Sequence, residues 1–191
     1  EAMKLLFVDC CISQRGKESR TLALAKADID AFRAAHPDWE VERADPMDLP
    51  PLTAEFLDDR DTRKGEFSAP MFAAARQFQS ADSIVVAAPY WELSYPAQLK
   101  TYIEHISVNG LCYHYTEQGC QGDCKAEKLV YLTSGGDFEH EDSVGVVHWR
   151  QLCSLFGIGQ FDYVFAGGLD IDPAKTADIL ETACKKAEEL A

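Results

Sequence analysis

The sequence is short of positive charge: 18 Lys and Arg stand against 32 Asp and Glu over 191 residues, a formal charge of -14. A surface of that sign repels phosphate backbones and anionic headgroups alike, so neither nucleic acid nor a membrane is expected as a partner. Long apolar runs are missing too, since none approaches the roughly 20 residues of a membrane span. Glu1-Ala2-Met3-Lys4 offers no basic leader ahead of an apolar core, so a soluble, cytoplasmic protein is expected, with Met3 as candidate native start. The loop entering the first helix lacks both the P-loop pattern and the Gly-x-Gly-x-x-Gly of dinucleotide-binding folds, which removes those two routes to a nucleotide.

Seven cysteines are an odd number, scattered along the chain, and do not make a secreted disulfide framework. Cys112, Cys120 and Cys124 share one loop, yet no second close pair accompanies them and His114 is not at a ligand offset, so no metal is expected. Cys10 and Cys11 read as strand-end thiols.

What is present is an alternation of apolar runs with helical periodicity, the signature of βαβ units on a parallel sheet. Five rounds are legible in a single domain spanning 1–191. Lys4 to Asp9 is the first strand, and Leu22, Ala25, Ile29 and Phe32 mark the face of the first helix. Trp39 to Arg43 is the second strand, followed by the bend Asp45-Pro46-Met47-Asp48-Leu49-Pro50-Pro51, which no helix crosses. The charged stretch Asp58 to Gly65 is placed at the surface. A helix from Ser68 to Gln79 leads into the third strand at Ser83, and Ala97 to Ile106 is the next helix. Leu129 to Leu132 and Phe161 to Ala166 are strands four and five, with a helix from Val144 to Phe156 between them. Asp172-Pro173 reads as the cap and first residue of a last helix with Ala177, Leu180, Cys184 and Ala187 inward. Right-handed crossovers then give a three-layer, doubly wound parallel five-stranded sheet of flavodoxin-like order 2-1-3-4-5.

In that topology the carboxyl ends of strands one, three and four lie together, where open α/β sheets place ligands. The first loop carries hydroxyls at Ser13, Ser19 and Thr21 at the start of a helix, suited to a phosphate dianion. The second, Pro89-Tyr90-Trp91-Glu92-Leu93, offers aromatic faces and backbone N–H groups, suited to a flat, heteroatom-rich ring such as a flavin. The third, Thr133-Ser134-Gly135-Gly136, permits close backbone approach.

These loops, with Ser94-Tyr95-Pro96-Ala97-Gln98-Leu99-Lys100, Tyr113-His114-Tyr115-Thr116-Glu117 and Phe156-Gly157-Ile158-Gly159, make the chain resemble the FMN-dependent NAD(P)H:quinone oxidoreductase and azoreductase family, nearly end to end. The resemblance implies bound FMN, with its phosphate at Ser13, Ser19, Arg20 and Thr21, its ring at Pro89, Tyr90, Trp91, Glu92 and Leu93, and its pyrimidine edge at Thr133, Ser134, Gly135 and Gly136. It implies NADH or NADPH as cosubstrate and a ping-pong cycle that passes two electrons to quinones, azo or nitro compounds. Chemistry then rests on the flavin, so no catalytic dyad is required of the chain. His114 and Tyr115 are candidates for the substrate side. A homodimer is implied as well, with Trp91, Tyr95, Tyr113 or Trp149 available to a partner subunit.

Two departures stand out: Glu92 sits where the family has Asn or another neutral residue, and the Gly-Gly loop is one residue shorter than the azoreductase form. A Glu92 carboxylate beside the ring would lower the flavin potential; a backbone contact would leave it unchanged. A second reading is a flavodoxin-type electron carrier without its own small-molecule turnover, which a stable semiquinone and inertness to NAD(P)H would reveal; a third is a redox-sensing or scaffold protein that kept the fold and lost FMN, which a colourless preparation refusing added FMN would reveal.

Overall fold

The structure is a computed structural model that describes residues 1–11 and 19–191. Five strands form one parallel sheet: β1 (Lys4–Asp9), β2 (Glu40–Ala44), β3 (Ser83–Ala87), β6 (Lys128–Ser134) and β7 (Gln160–Ala166), in the order β2-β1-β3-β6-β7. With β4 (Tyr113–Thr116) and β5 (Gly119–Gly122) set apart as an antiparallel hairpin, this is the flavodoxin-like order expected.

The central strand explains the apolar run at Ser83. Every residue of β3 is buried, because β1 and β6 flank it and both its faces are covered. Side chains alternate between two apolar clusters. Leu6, Val8, Ile84, Val86 and Tyr131 belong to one, with α3 (Ala73–Ser80), α4 (Ala97–Ile106) and α5 (Val144–Phe156). Leu5, Phe7, Val85, Val130 and Leu132 belong to the other, with α1 (Arg20–Ala35) and α6 (Thr176–Glu189).

Local chemistry fixes the helix ends. Ser19 caps α1 by accepting from the Leu22 amide at 3.2 Å. Gly157 ends α5 in the left-handed region, φ 77°, the usual conformation of a glycine stop.

Several sequence expectations are corrected. The buried stripe of α1 runs through Thr21, Leu24, Ala25, Asp28, Ile29 and Phe32, with Leu22 only partly covered. The helix expected from Ser68 starts as a 3-10 turn at Pro70–Phe72 and becomes α-helical at Ala73, because Pro70 fixes the first turn. Asp172 does not cap α6: its side chain accepts from the Ala174 amide at 3.1 Å in a separate turn, and the helix begins at Thr176. Ala183 and Ala187 are its buried residues, and Ala177 is exposed. Trp149 is fully buried against Tyr131, so it is not available to a partner subunit.

Three elements were not expected. The Pro-rich bend holds a single 3-10 turn, Pro46–Asp48, capped by Asp45, whose side chain accepts from the Met47 amide at 3.0 Å. The charged stretch is entered by α2 (Ala54–Thr62), which begins four residues before it, buries no residue and is held by the Thr53 cap. Residues 113–122 form the β4–β5 hairpin. Its base is tied by the Asp123 amide to the Cys112 carbonyl at 2.9 Å, and Gly122 is pressed so closely on Phe156 and Gly157 that a Cβ would lie 2.0 Å from backbone atoms.

Candidate functional site

The carboxyl ends of β1, β3 and β6 open onto a cavity of about 320 Å³ lined by Cys11, Ser19, Arg20, Thr21, Pro89, Tyr90, Trp91, Ser134, Gly135, Gly136, Leu169 and Asp170. Three chain segments far apart in sequence thus meet where they were expected to. Ser13 lies outside the described residues.

The α1 side is polar. The Thr21 and Ser134 hydroxyls meet at 2.6 Å, buried, and fasten the first loop to the third. Apart from the Leu22 amide, which Ser19 takes, the first-turn amides of α1 have no partner inside their own helix, and with the positive helix end they favour an anion. The Arg20 guanidinium adds a cation and donates to the Asp170 carboxylate at 2.9 Å. Cys11 is a poor nucleophile here, because burial first, and then the neighbouring Asp9 carboxylate, push its thiol far up.

The opposite side is aromatic. The Tyr90 amide donates to the Ser134 carbonyl at 2.9 Å, which ties the second loop to the third. The Tyr90 ring packs edge-on against Phe165 at 4.9 Å and lies over Gly135, where a Cβ would stand 2.8 Å from Cδ1. Glycine is therefore required at 135 by the aromatic wall itself. At Gly136 a Cβ would lie 2.3 Å from the Asp170 carboxylate. Beyond Trp91, Glu92 (φ 50°) and Leu93 (φ 64°) form a left-handed turn closed by the Ser94 amide on the Trp91 carbonyl at 2.8 Å. Glu92 and Leu93 are exposed at the rim, outside the cavity wall.

A polar end at a helix N-terminus, an aromatic wall and a Gly-Gly loop, with Gly135 packed under Tyr90, supply the anion-holding and ring-flanking groups that fit a flavin mononucleotide. Comparison with known proteins points the same way. A family model described as flavodoxin-like fold matches residues 3–191. An FMN-dependent NADH:quinone oxidoreductase of Clostridium beijerinckii is 34% identical over 194 residues, covering 98% of each chain. The chain belongs to this flavodoxin-like family of oxidoreductases. FMN-dependent NADH:quinone oxidoreductase 5 of Pseudomonas fluorescens is 32% identical over 182 residues, covering 87% of each chain. Among solved structures, an azoreductase from Bacillus anthracis shares the fold with a TM-score of 0.84 at 23% identity, covering 98% of this chain and 97% of its own.

Within that family frame, the remaining expected residues are placed as follows. Thr133 is buried in β6 and does not line the cavity. His114 and Tyr115 are on β4, also away from the cavity wall: His114 Nδ1 lies 2.8 Å from the Asp123 carboxylate, and the exposed Tyr115 ring packs edge-on against Tyr113. Cys11, expected as a buried strand-end thiol beside the first loop, is only partly buried and lines the cavity, and Leu169 and Asp170 were not expected there. Gly167-Gly168 after β7 was the available signal for the last two, a second glycine pair at a strand end.

Proposed function

We propose that the cavity binds FMN and that the protein is an FMN-dependent NADH oxidoreductase acting on quinones and on azo and nitro compounds. The observation that supports it most is the joining of a helix N-terminus bearing Ser19, Arg20 and Thr21 to a Tyr90-Trp91 wall through the Ser134-Gly135-Gly136 loop. Bound there, FMN would supply the two-electron redox chemistry between NADH and the acceptor, used in alternate half-reactions.

The chain's own residues bind and orient. Ser19, Thr21 and the first-turn amides other than that of Leu22 hold the phosphate together with Arg20, with Ser13 assigned to the same group. Pro89, Tyr90 and Trp91 flank the ring, with the backbone of Glu92 and Leu93 at its rim. Ser134, Gly135 and Gly136 let the main chain reach the pyrimidine edge, and buried Thr133 supports that loop from β6. The exposed Glu92 carboxylate is free to point to water, so its backbone is the part assigned to the cofactor.

A second copy of the chain is assigned to the rim, where Leu93 and Trp91 stand 64% and 43% exposed beside a cofactor that needs a dry face. His114 and Tyr115 would then serve the substrate side from the hairpin. Steady-state oxidation of NADH with a quinone tests the reading: turnover with parallel double-reciprocal lines is expected of alternate half-reactions, and absence of turnover by the FMN-loaded protein contradicts it.

A further inference from the structure

Tyr95 and His148 lie outside the cavity wall, yet they are joined in a way the flavin site does not explain. The Tyr95 hydroxyl bonds His148 Nδ1, and the two rings stack at 5.9 Å with 19° between their planes. Tyr95 ends the rim turn; His148 is on α5.

The turn needs an anchor. Among the described residues, Glu92 and Leu93 are the only non-glycine positions with positive φ, and they are adjacent. Tight turns of this left-handed kind ordinarily take Asn-Gly or Asp-Gly, because a Cβ is strained there. Strain of this sort persists only when the surroundings over-determine it. On the N-terminal side the Tyr90 amide and ring do so. On the C-terminal side the Tyr95–His148 pair links the turn to α5, and Trp149, the next residue, is buried against Tyr131 in the core.

The bond has a defined direction. Burial, followed by the Lys100 charge, holds His148 below the ordinary imidazole range, so the ring is neutral at pH 7, and in its Nε2–H tautomer Nδ1 is the acceptor of the Tyr95 hydroxyl. Burial pushes the Tyr95 phenol up to about 12, so it keeps the proton it donates.

Resting on the flavin reading of the cavity, we propose that Tyr95 and His148 are a positioning pair that holds the Trp91–Ser94 turn in the shape the flavin ring requires. They act through the turn, so their loss is felt by the ring and not by the phosphate.

The test measures FMN and riboflavin binding to apo-protein, together with the visible circular dichroism of the bound flavin. Tyr95→Phe keeps the stacked ring and loses the hydroxyl; His148→Leu loses the acceptor. Each is expected to weaken both ligands by about threefold to tenfold, the loss of one neutral hydrogen bond. The double variant is expected to be no weaker than either single one, because both remove the same bond. His148→Asn, whose Oδ1 replaces Nδ1, is expected within about twofold of the wild type, with the dichroism restored. A wild type that binds both flavins while Tyr95→Phe equals it, or a double variant whose loss is the product of the singles, overturns the positioning role alone. A wild type that binds neither flavin overturns the site reading, and the pair's role with it.

Discussion

The Thr21 and Ser134 hydroxyls, 113 positions apart in the chain, meet at 2.6 Å beneath the cavity and are both buried. This one bond joins the start of α1 to the end of β6, so the polar side of the site is a single body. Thr21→Val removes one partner and leaves the Ser134 hydroxyl without its own. The expected cost is roughly 1–3 kcal/mol of folding stability, read as a lower urea midpoint. FMN affinity is expected to fall about tenfold or more, measured by fluorescence titration, since the first loop loses its tie to the third.

Gly135 is the second point at which the site is tightly determined. An added methyl would stand 2.8 Å from Tyr90 Cδ1 and 3.1 Å from Tyr90 Cβ, while Phe165 backs the Tyr90 ring at 4.9 Å. The ring has little room to retreat. Gly135→Ala is expected to destabilise by about 1–3 kcal/mol through overpacking. It should also lower flavin affinity more than stability, because the displaced group is the cavity wall; thermal melting and FMN titration on the same variant compare the two losses.

A third prediction concerns a residue far from any assigned chemistry. Asp28 lies on the buried stripe of α1 at 0% exposure, with neither carboxylate oxygen partnered, and burial pushes its carboxyl up to about 7 against the weaker opposing pull of Lys128. The raised value means that the folded state holds a proton that the unfolded chain has already released. Stability from this group is therefore full below about pH 4 and is lost as pH rises toward and through about 7. Asp28→Asn should leave stability unchanged at about pH 4 and raise it by roughly 2–4 kcal/mol at about pH 8. Equal effects at the two pH values, in paired urea titrations, would contradict the assignment.

The legible part of the fold was the part dictated by burial. Continuous apolar runs such as Ser83–Ala87 marked strands covered on both faces, and the helices between them fixed the order of the sheet. What escaped was held by contacts that leave no period in the sequence. Helix α2 buries nothing, so it carries no apolar stripe, and the Thr53 cap and the Arg63–Asp59 ion pair support it instead. The β4–β5 hairpin reads as a polar loop, since its strands are short and largely exposed and it docks through Gly122, which has no side chain to mark the contact with Phe156 and Gly157. Asp28 was invisible because a polar residue at a core position breaks the pattern used to find the core. The site divided along the same line. Ser19, Thr21, Tyr90, Trp91 and the Gly135-Gly136 pair were legible as strand-end loops, whereas Asp170 and Leu169 arrive from a fifth strand end whose glycine pair drew no weight. The left-handed conformation of Glu92 and Leu93 was hidden for a simpler reason: neither residue type favours it.

The central claim is that this cavity holds FMN and passes electrons from NADH. The most direct measurement is the visible spectrum of the FMN-loaded protein before and after anaerobic addition of NADH. A bound flavin whose visible band bleaches with NADH and returns on adding a quinone is expected. A protein that takes up no FMN, or whose flavin band is untouched by NADH, would contradict it.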